Sequence, residues 1–208
     1  MGLFITFEGI EGCGKTTQAA LLDEHLRSKG VETLLMREPG GTALGEKVRG
    51  ILLTSEGAGI DAIAELFLYE ACRAQLVNDV IRPALAKGIT VICDRFIDST
   101  VAYQGFGRGI DIAAITSANT IATNGLSPDI TLLIDCPPEA GIRRALSRLD
   151  ADAGPREDRF EREALAFHTK VQGGYLKLAA SNPDRIKVIN GEREIPLIHK
   201  EICDIIKR

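Results

Sequence analysis

LFITFEGIEGCGKTTQAALLDEHL, residues 3–26, runs from an apolar stretch through a glycine cluster into a helix-compatible stretch. Glycine inside a regular element costs about 0.5–1 kcal/mol relative to alanine, so three of them at 9, 12 and 14 need a use that offsets the cost. Gly9-Ile10-Glu11-Gly12-Cys13-Gly14-Lys15-Thr16 has the spacing G-x4-G-K-[ST], and Thr17 continues into the helix. In that arrangement the glycines let the backbone curl until successive N–H groups point inward at a polyphosphate, and the following helix adds its positive end. Lys15 then reaches the β- and γ-phosphates, and Thr16 ligates Mg²⁺. The stretch predicts a nucleoside-triphosphate site on a strand–loop–helix unit.

Outward from this unit, strand-like runs recur at 3–7, 33–36, 89–93, 130–135 and 186–189. Between them the periodicity predicts helices at about 15–29, 43–53, 60–86, 110–123, 138–148, 159–180 and 194–206. Continuous apolar strands separated by helices make a parallel sheet covered on both faces, with ligands beyond the carboxyl ends of the strands. The 208 residues read as a single domain, 1–208. Two stretches interrupt the alternation. DADAGPRED, 150–158, has the composition of a mobile surface segment. YQGFGRG, 103–109, is read as too glycine-rich for a helix.

Composition narrows the function classes. Hydrophobic residues at 45% and charged ones at 26% are ordinary for a globular chain, which disfavours disorder. A net charge of −4 argues against a nucleic-acid partner held by bulk electrostatics. No apolar run approaches the roughly 20 residues that span a bilayer, and no signal peptide is visible. The five cysteines, 13, 72, 93, 136 and 203, are scattered without a CxxC pair, as reduced thiols in a cytoplasmic protein would be.

Phosphate-loop chains include switches, motors and small-molecule kinases, so further residues must choose. Neither the N-K-x-D of guanine-specific switches nor an LSGGQ-like stretch is present. Instead, Asp94 and Arg95 follow the third strand run, where an arginine can grip a phosphate bidentately and a carboxylate can orient Mg²⁺-bound water. After the second strand run, Arg37-Glu38-Pro39-Gly40-Gly41-Thr42 forms a fixed turn, with Arg49 on the helix behind it. Tyr69 and Arg73 lie four apart on one helix face, beside an apolar stripe of Ile63, Leu66, Val77 and Val80. A ring beside a guanidinium there can stack a base and read its edge. Glu70 projects into that stripe and requires a partner.

Together, EGIEGCGKTT, REPGGT, Tyr69-x-x-x-Arg73 and DRFIDSTVAYQGFGRGID resemble the thymidylate kinases of the bacterial type, over about residues 3–165. The resemblance implies a P-loop kinase fold with a five-stranded parallel sheet covered by helices on both faces and a small mobile lid at about 148–160. It implies phosphorylation of dTMP to dTDP with ATP and Mg²⁺, by a homodimer. Within the matched motifs it implies that Glu11 addresses the sugar 3′-hydroxyl and the phosphate-holding arginines. Arg95, with Arg37 or Arg49, contacts the acceptor phosphate; Glu38 belongs to the same turn. Tyr69 stacks on thymine and Arg73 meets the base edge. Ser99, Thr100 and Gln104 add base or sugar contacts, and Tyr103 crowds out a ribose 2′-hydroxyl. Thr16 and Asp94 would hold the metal, and Gly9 to Thr17 the ATP phosphates. The family divides by whether its catalytic arginine sits in the phosphate loop or in the lid. Here the loop has no arginine, so the resemblance implies one from the lid, Arg159 first and Arg148 and Arg156 after it. Two alternatives stay open: a kinase for another nucleoside monophosphate, and a nucleotide switch with no second substrate.

Overall fold

The computed structural model describes residues 2–54, 59–149 and 158–207. Five parallel strands form one sheet: β1 (Phe4–Glu8), β2 (Thr33–Arg37), β3 (Thr90–Asp94), β4 (Ile130–Asp135) and β5 (Ile186–Asn190). Their order is β2-β3-β1-β4-β5, so from the central β1 the chain first crosses to the edge at β2 and then steps back through β3 to β4 and β5 on the other side of β1. All five residues of β1 and of β3 are buried, which is why both read as unbroken apolar runs. The register sets Phe7 beside Asp94 and Asp94 beside Arg37, so the ends of three strands meet at one edge.

Nine helical segments cover the sheet among the described residues: α1 (Lys15–Ser28), α2 (Ala43–Leu53), α3 (Ala62–Leu76), α4 (Arg82–Ala86), α5 (Ile97–Thr100), α6 (Ile112–Thr123), α7 (Pro138–Leu149), α8 (Leu165–Ser181) and α9 (Ile195–Ile206). One core cluster joins Phe7, Leu22, Leu132 and Ile134 to Val171, Ile198 and Ile202. On the other face Phe4, Val91 and Phe96 pack with Leu76, Val77 and Ile81.

The predicted helix 60–86 is one run widened into a π-helix at Val77–Ile81, which carries the chain from α3 into α4 with Pro83 in the first turn. Ile63, part of its apolar stripe, is 46% exposed. The predicted helix 159–180 begins later, at Leu165. The glycine-rich stretch is a correction as well: Val101–Gly107 is π-helical and continues α5. Its glycines serve close packing, since a Cβ at Gly107 would lie 2.7 Å from the Phe167 ring on α8. Of the segment 150–158, only Asp158 falls among the described residues.

Candidate active site

The chain leaves β1 at Glu8 and turns through the glycine loop into α1. Gly12 has φ +66°, and a Cβ there would lie 1.9 Å from the Gly141 carbonyl, so no side chain fits. Gly14, at φ +102°, caps α1 with no side-chain hydrogen bond, and the first turn carries no acidic residue. The first amides of this helix thus meet no competing carboxylate, as an anion site needs. Lys15 Nζ donates to the Ile10 carbonyl at 2.7 Å and so spans the loop. Thr16 Oγ1 donates to Asp94 Oδ2 at 2.6 Å, which joins the start of α1 to the end of β3.

Glu11 is the hub of the second half. Its Oε1 accepts from Arg95 Nη2 at 3.0 Å and from the Tyr103 hydroxyl at 2.5 Å; its Oε2 is 3.2 Å from His168 Nδ1. Burial alone would raise this carboxyl, but His168, the charges of Arg95 and Lys15, and the Tyr103 hydroxyl together hold it down at about 2. Arg95 is held in the left-handed region at φ 72°, uncommon for a side chain of its size, and its Nη1 donates to the Gly9 carbonyl at 3.1 Å. Behind it, Glu8 accepts from the Phe96 amide and from the hydroxyls of Ser99 and Tyr175; burial and the nearby Asp98 push Glu8 up to about 7.

The depressed carboxyl of Glu11 has a testable sign. Its stabilising contribution is fully present above about pH 4.5 and is lost as pH falls towards 2, a total of about 3 kcal/mol. Glu11→Gln should therefore be less stable than the parent at pH 6 by about that amount, with the gap closing on acidification. Urea unfolding across pH 2–7 reads this, and a gap independent of pH would exclude the charge as its source.

The turn after β2 is fixed by its own polar groups. The Thr42 hydroxyl accepts from the Gly45 amide at 2.9 Å and caps α2. Glu46 accepts from the Gly41 amide at 2.8 Å and pairs with Arg37 at 3.3 Å. Arg49 Nη1 donates to the Pro39 carbonyl at 2.8 Å. These contacts aim the arginines of the turn at the sheet edge.

A cleft of about 460 Å³ opens there. Glu11, Gly12, Lys15, Thr16, Arg37, Glu38, Arg49, Tyr69, Asp94, Arg95, Ser99, Thr100, Tyr103 and Gln104, all singled out in the sequence, line it. Gly9, Ile10, Cys13, Gly14 and Thr17 complete the loop around it and the first turn of α1 but do not form its wall. Two arginines depart from expectation. Arg73 is 1% exposed and absent from the lining: it donates to Glu38 at 2.7 and 3.0 Å, to Glu70 at 2.9 Å, to Thr100 at 2.8 Å and to Asn119 at 2.7 Å. Glu70 has its partner in this network. Burial raises both carboxyls against the pull of Arg73, Glu38 to about 7.

Arg159 is also drawn away from the cleft. It pairs with Glu65 and donates to the Leu52 carbonyl at 3.0 Å, because Glu65 is wholly buried and needs cations around it; Arg108 is the other. Arg148, on the last turn of α7, does line the cleft, whereas Arg156 lies outside the described residues. Phe160 and Glu161 also line it, and neither is legible from spacing. His168 and Tyr175 were missed too: both sit on the buried face of α8, where a polar side chain in an apolar stripe was their one signal.

A model of the family described as thymidylate kinase matches residues 7–202. The thymidylate kinase of Citrifermentans bemidjiense is 54% identical over 195 residues, covering 94% of this chain and 87% of that protein. That of Trichlorobacter lovleyi is 50% identical over 204 residues, covering 98% and 96%. The crystal structure of thymidylate kinase from Ehrlichia chaffeensis superposes with a TM-score of 0.80 at 38% identity, covering 100% of this chain and 99% of that one.

Proposed function

The chain belongs to the thymidylate kinase family, and from that premise we propose that it transfers the γ-phosphoryl group of ATP to dTMP, giving dTDP and ADP. The observation that carries the reading is one cleft lined both by Lys15 and Thr16 of the phosphate loop and α1 and by Arg37, Arg49 and Arg95. Two anions held there would meet end to end, which a transfer between phosphates requires.

Phosphoryl transfer through a loose transition state asks for alignment and charge neutralisation rather than covalent help. The loop amides and Lys15 hold the donor phosphates. A hydroxyl and a carboxylate oxygen, Thr16 Oγ1 and Asp94 Oδ2, suit Mg²⁺, a hard cation that takes oxygen ligands; they would hold it, and it would neutralise charge on the donor phosphates. Arg95, steadied by Glu11, takes the acceptor phosphate with Arg37 and Arg49. Tyr69 supplies a ring for the base, and Ser99, Thr100 and Gln104 border the same pocket. Arg73 serves this pocket from behind by holding Glu38 and Thr100 in place. Tyr103 lines the same pocket and is held by its hydrogen bond to Glu11; its ring is our candidate for crowding out a ribose 2′-hydroxyl. Arg148, which lines the same cleft, is the lid arginine that would meet the transferring group.

An acceptor series tests the assignment. With MgATP, dTMP should be the best acceptor, dUMP weaker, and AMP and GMP near background. Preference for a purine monophosphate would overturn the thymine reading, and ATP hydrolysis indifferent to dTMP would favour a switch.

We further place the protein in the cytoplasm: its five cysteines are free and buried, and no described helix is long and apolar enough to cross a membrane. A homodimer fits the apolar face that Ile63 and Phe67 on α3 present beside Ile121 on α6, 46%, 62% and 80% exposed. Light scattering should give twice the chain mass, falling to the chain mass in Phe67→Asp.

A further inference from the structure

α9 packs along α1, its first residue close to the phosphate loop and its later turns beside the far end of α1. The two helices meet through Gln18 Nε2, which donates to the Ile195 carbonyl at 3.0 Å, and through the core side chains Leu22, Ile198 and Ile202. At the other end of this contact three side chains converge that phosphoryl transfer does not use. His25 comes from the last turns of α1; His199 and Cys203 are four residues apart on one face of α9. Their ligand atoms lie within 4.8 Å of one another. Cys203 Sγ is 3.5 Å from His199 Nε2, and the two imidazoles stand edge to face with centroids 5.8 Å apart. No other group of three histidine, cysteine or acidic side chains among the described residues comes together in this way.

We propose that His25, His199 and Cys203 form a second metal site, for a zinc-class divalent ion, that ties α9 to α1. Zinc binds imidazole nitrogen at about 2.0–2.1 Å and thiolate sulfur at about 2.3 Å, so tetrahedral ligand atoms lie about 3.3–3.6 Å apart. The His199–Cys203 pair already has this spacing, and a swing of the half-buried His25 ring closes the third side. Two nitrogens and a sulfur suit a borderline ion and reject Mg²⁺, which prefers oxygen; the site is chemically separate from the Thr16–Asp94 pair. Cys203 is 7% exposed, while both histidines are half-buried. The fourth position therefore opens to solvent and takes water. Binding expels the Cys203 thiol proton to the buffer, and the ion holds residues 25 and 199 together only in the folded chain.

The test uses the full-length reduced protein, freed of metal by chelation and titrated with Co²⁺ in excess Mg²⁺. One equivalent should bind with thiolate-to-metal charge transfer and intense tetrahedral d–d bands, both bleached by Zn²⁺. At about a hundredfold excess over Kd, Zn²⁺ should raise Tm by about 5–10 °C. Cys203→Ala should abolish the charge-transfer band and the Tm shift, and His25→Gln should weaken Co²⁺ binding at least tenfold; His25 is half-buried, so this variant keeps the fold testable should Cys203→Ala not. Absence of the thiolate band in the parent overturns the proposal, as does its survival in Cys203→Ala or unchanged affinity in His25→Gln. Retained dTMP phosphorylation in both variants would show that the result bears on this site alone.

Discussion

Arg148→Ala should lower kcat for dTMP phosphorylation by about 10³–10⁵-fold while KM for dTMP and ATP changes little. The transferring phosphoryl group spreads charge over its equatorial oxygens, and a guanidinium that meets them only there stabilises the transition state more than the ground state. Arg148 lines the cleft from the end of α7, as Gly12 and Lys15 do from the phosphate loop and α1. Arg159→Ala is the control. Its loss strips a cation from the buried Glu65, so it should lower Tm and leave kcat within about tenfold. Steady-state and single-turnover kinetics on both variants check this. The reverse pattern would return the part to Arg159.

Arg73→Met should destabilise the protein by about 3–5 kcal/mol, a fall in Tm of about 6–20 °C for a chain of this size. The guanidinium is shared by Glu38 and Glu70, both buried, and its removal leaves two carboxyls with no cation. The sign with pH follows. Orphaned and buried, these groups would titrate above their unfolded range in the folded chain, so stability is kept below about pH 4.5 and lost as pH rises through the raised values. The deficit of Arg73→Met should therefore be larger at pH 8 than at pH 5. Denaturant titrations at both values decide the matter. A deficit independent of pH would mean that packing, not charge, is what Arg73 supplies.

The same two arginines mark the boundary of what the sequence discloses. The phosphate loop is legible because its chemistry is local: Gly9 to Thr16 contain both the turn and the cation, and the positions of the strands show as short, mostly apolar runs. For Arg73 the sequence offers only its spacing of four from Tyr69, and with the family resemblance that points to a base contact. Its partners Glu38, Thr100 and Asn119 come from 35, 27 and 46 residues away, and no helical periodicity announces them. Arg159 falls within the stretch that the resemblance marks as the lid, whereas a carboxylate 94 residues distant fixes it. The helix through Val101–Gly107 escaped because glycine counts against helices on intrinsic propensity, yet here it provides the clearance that α8 needs. His168 carries no motif at all, and only the fold brings it to Glu11.

Gly12 meets Gly141 so closely that neither tolerates a β-carbon, the second coming within 2.5 Å of the Glu11 carbonyl. Arg148 is seven residues further along α7, a rigid stalk of about 10 Å. The nucleotide cradle and the arginine are thereby joined by a fulcrum with no slack. A methyl group at position 141 would pry the stalk outward and imitate the loss of its tip, although it touches neither substrate.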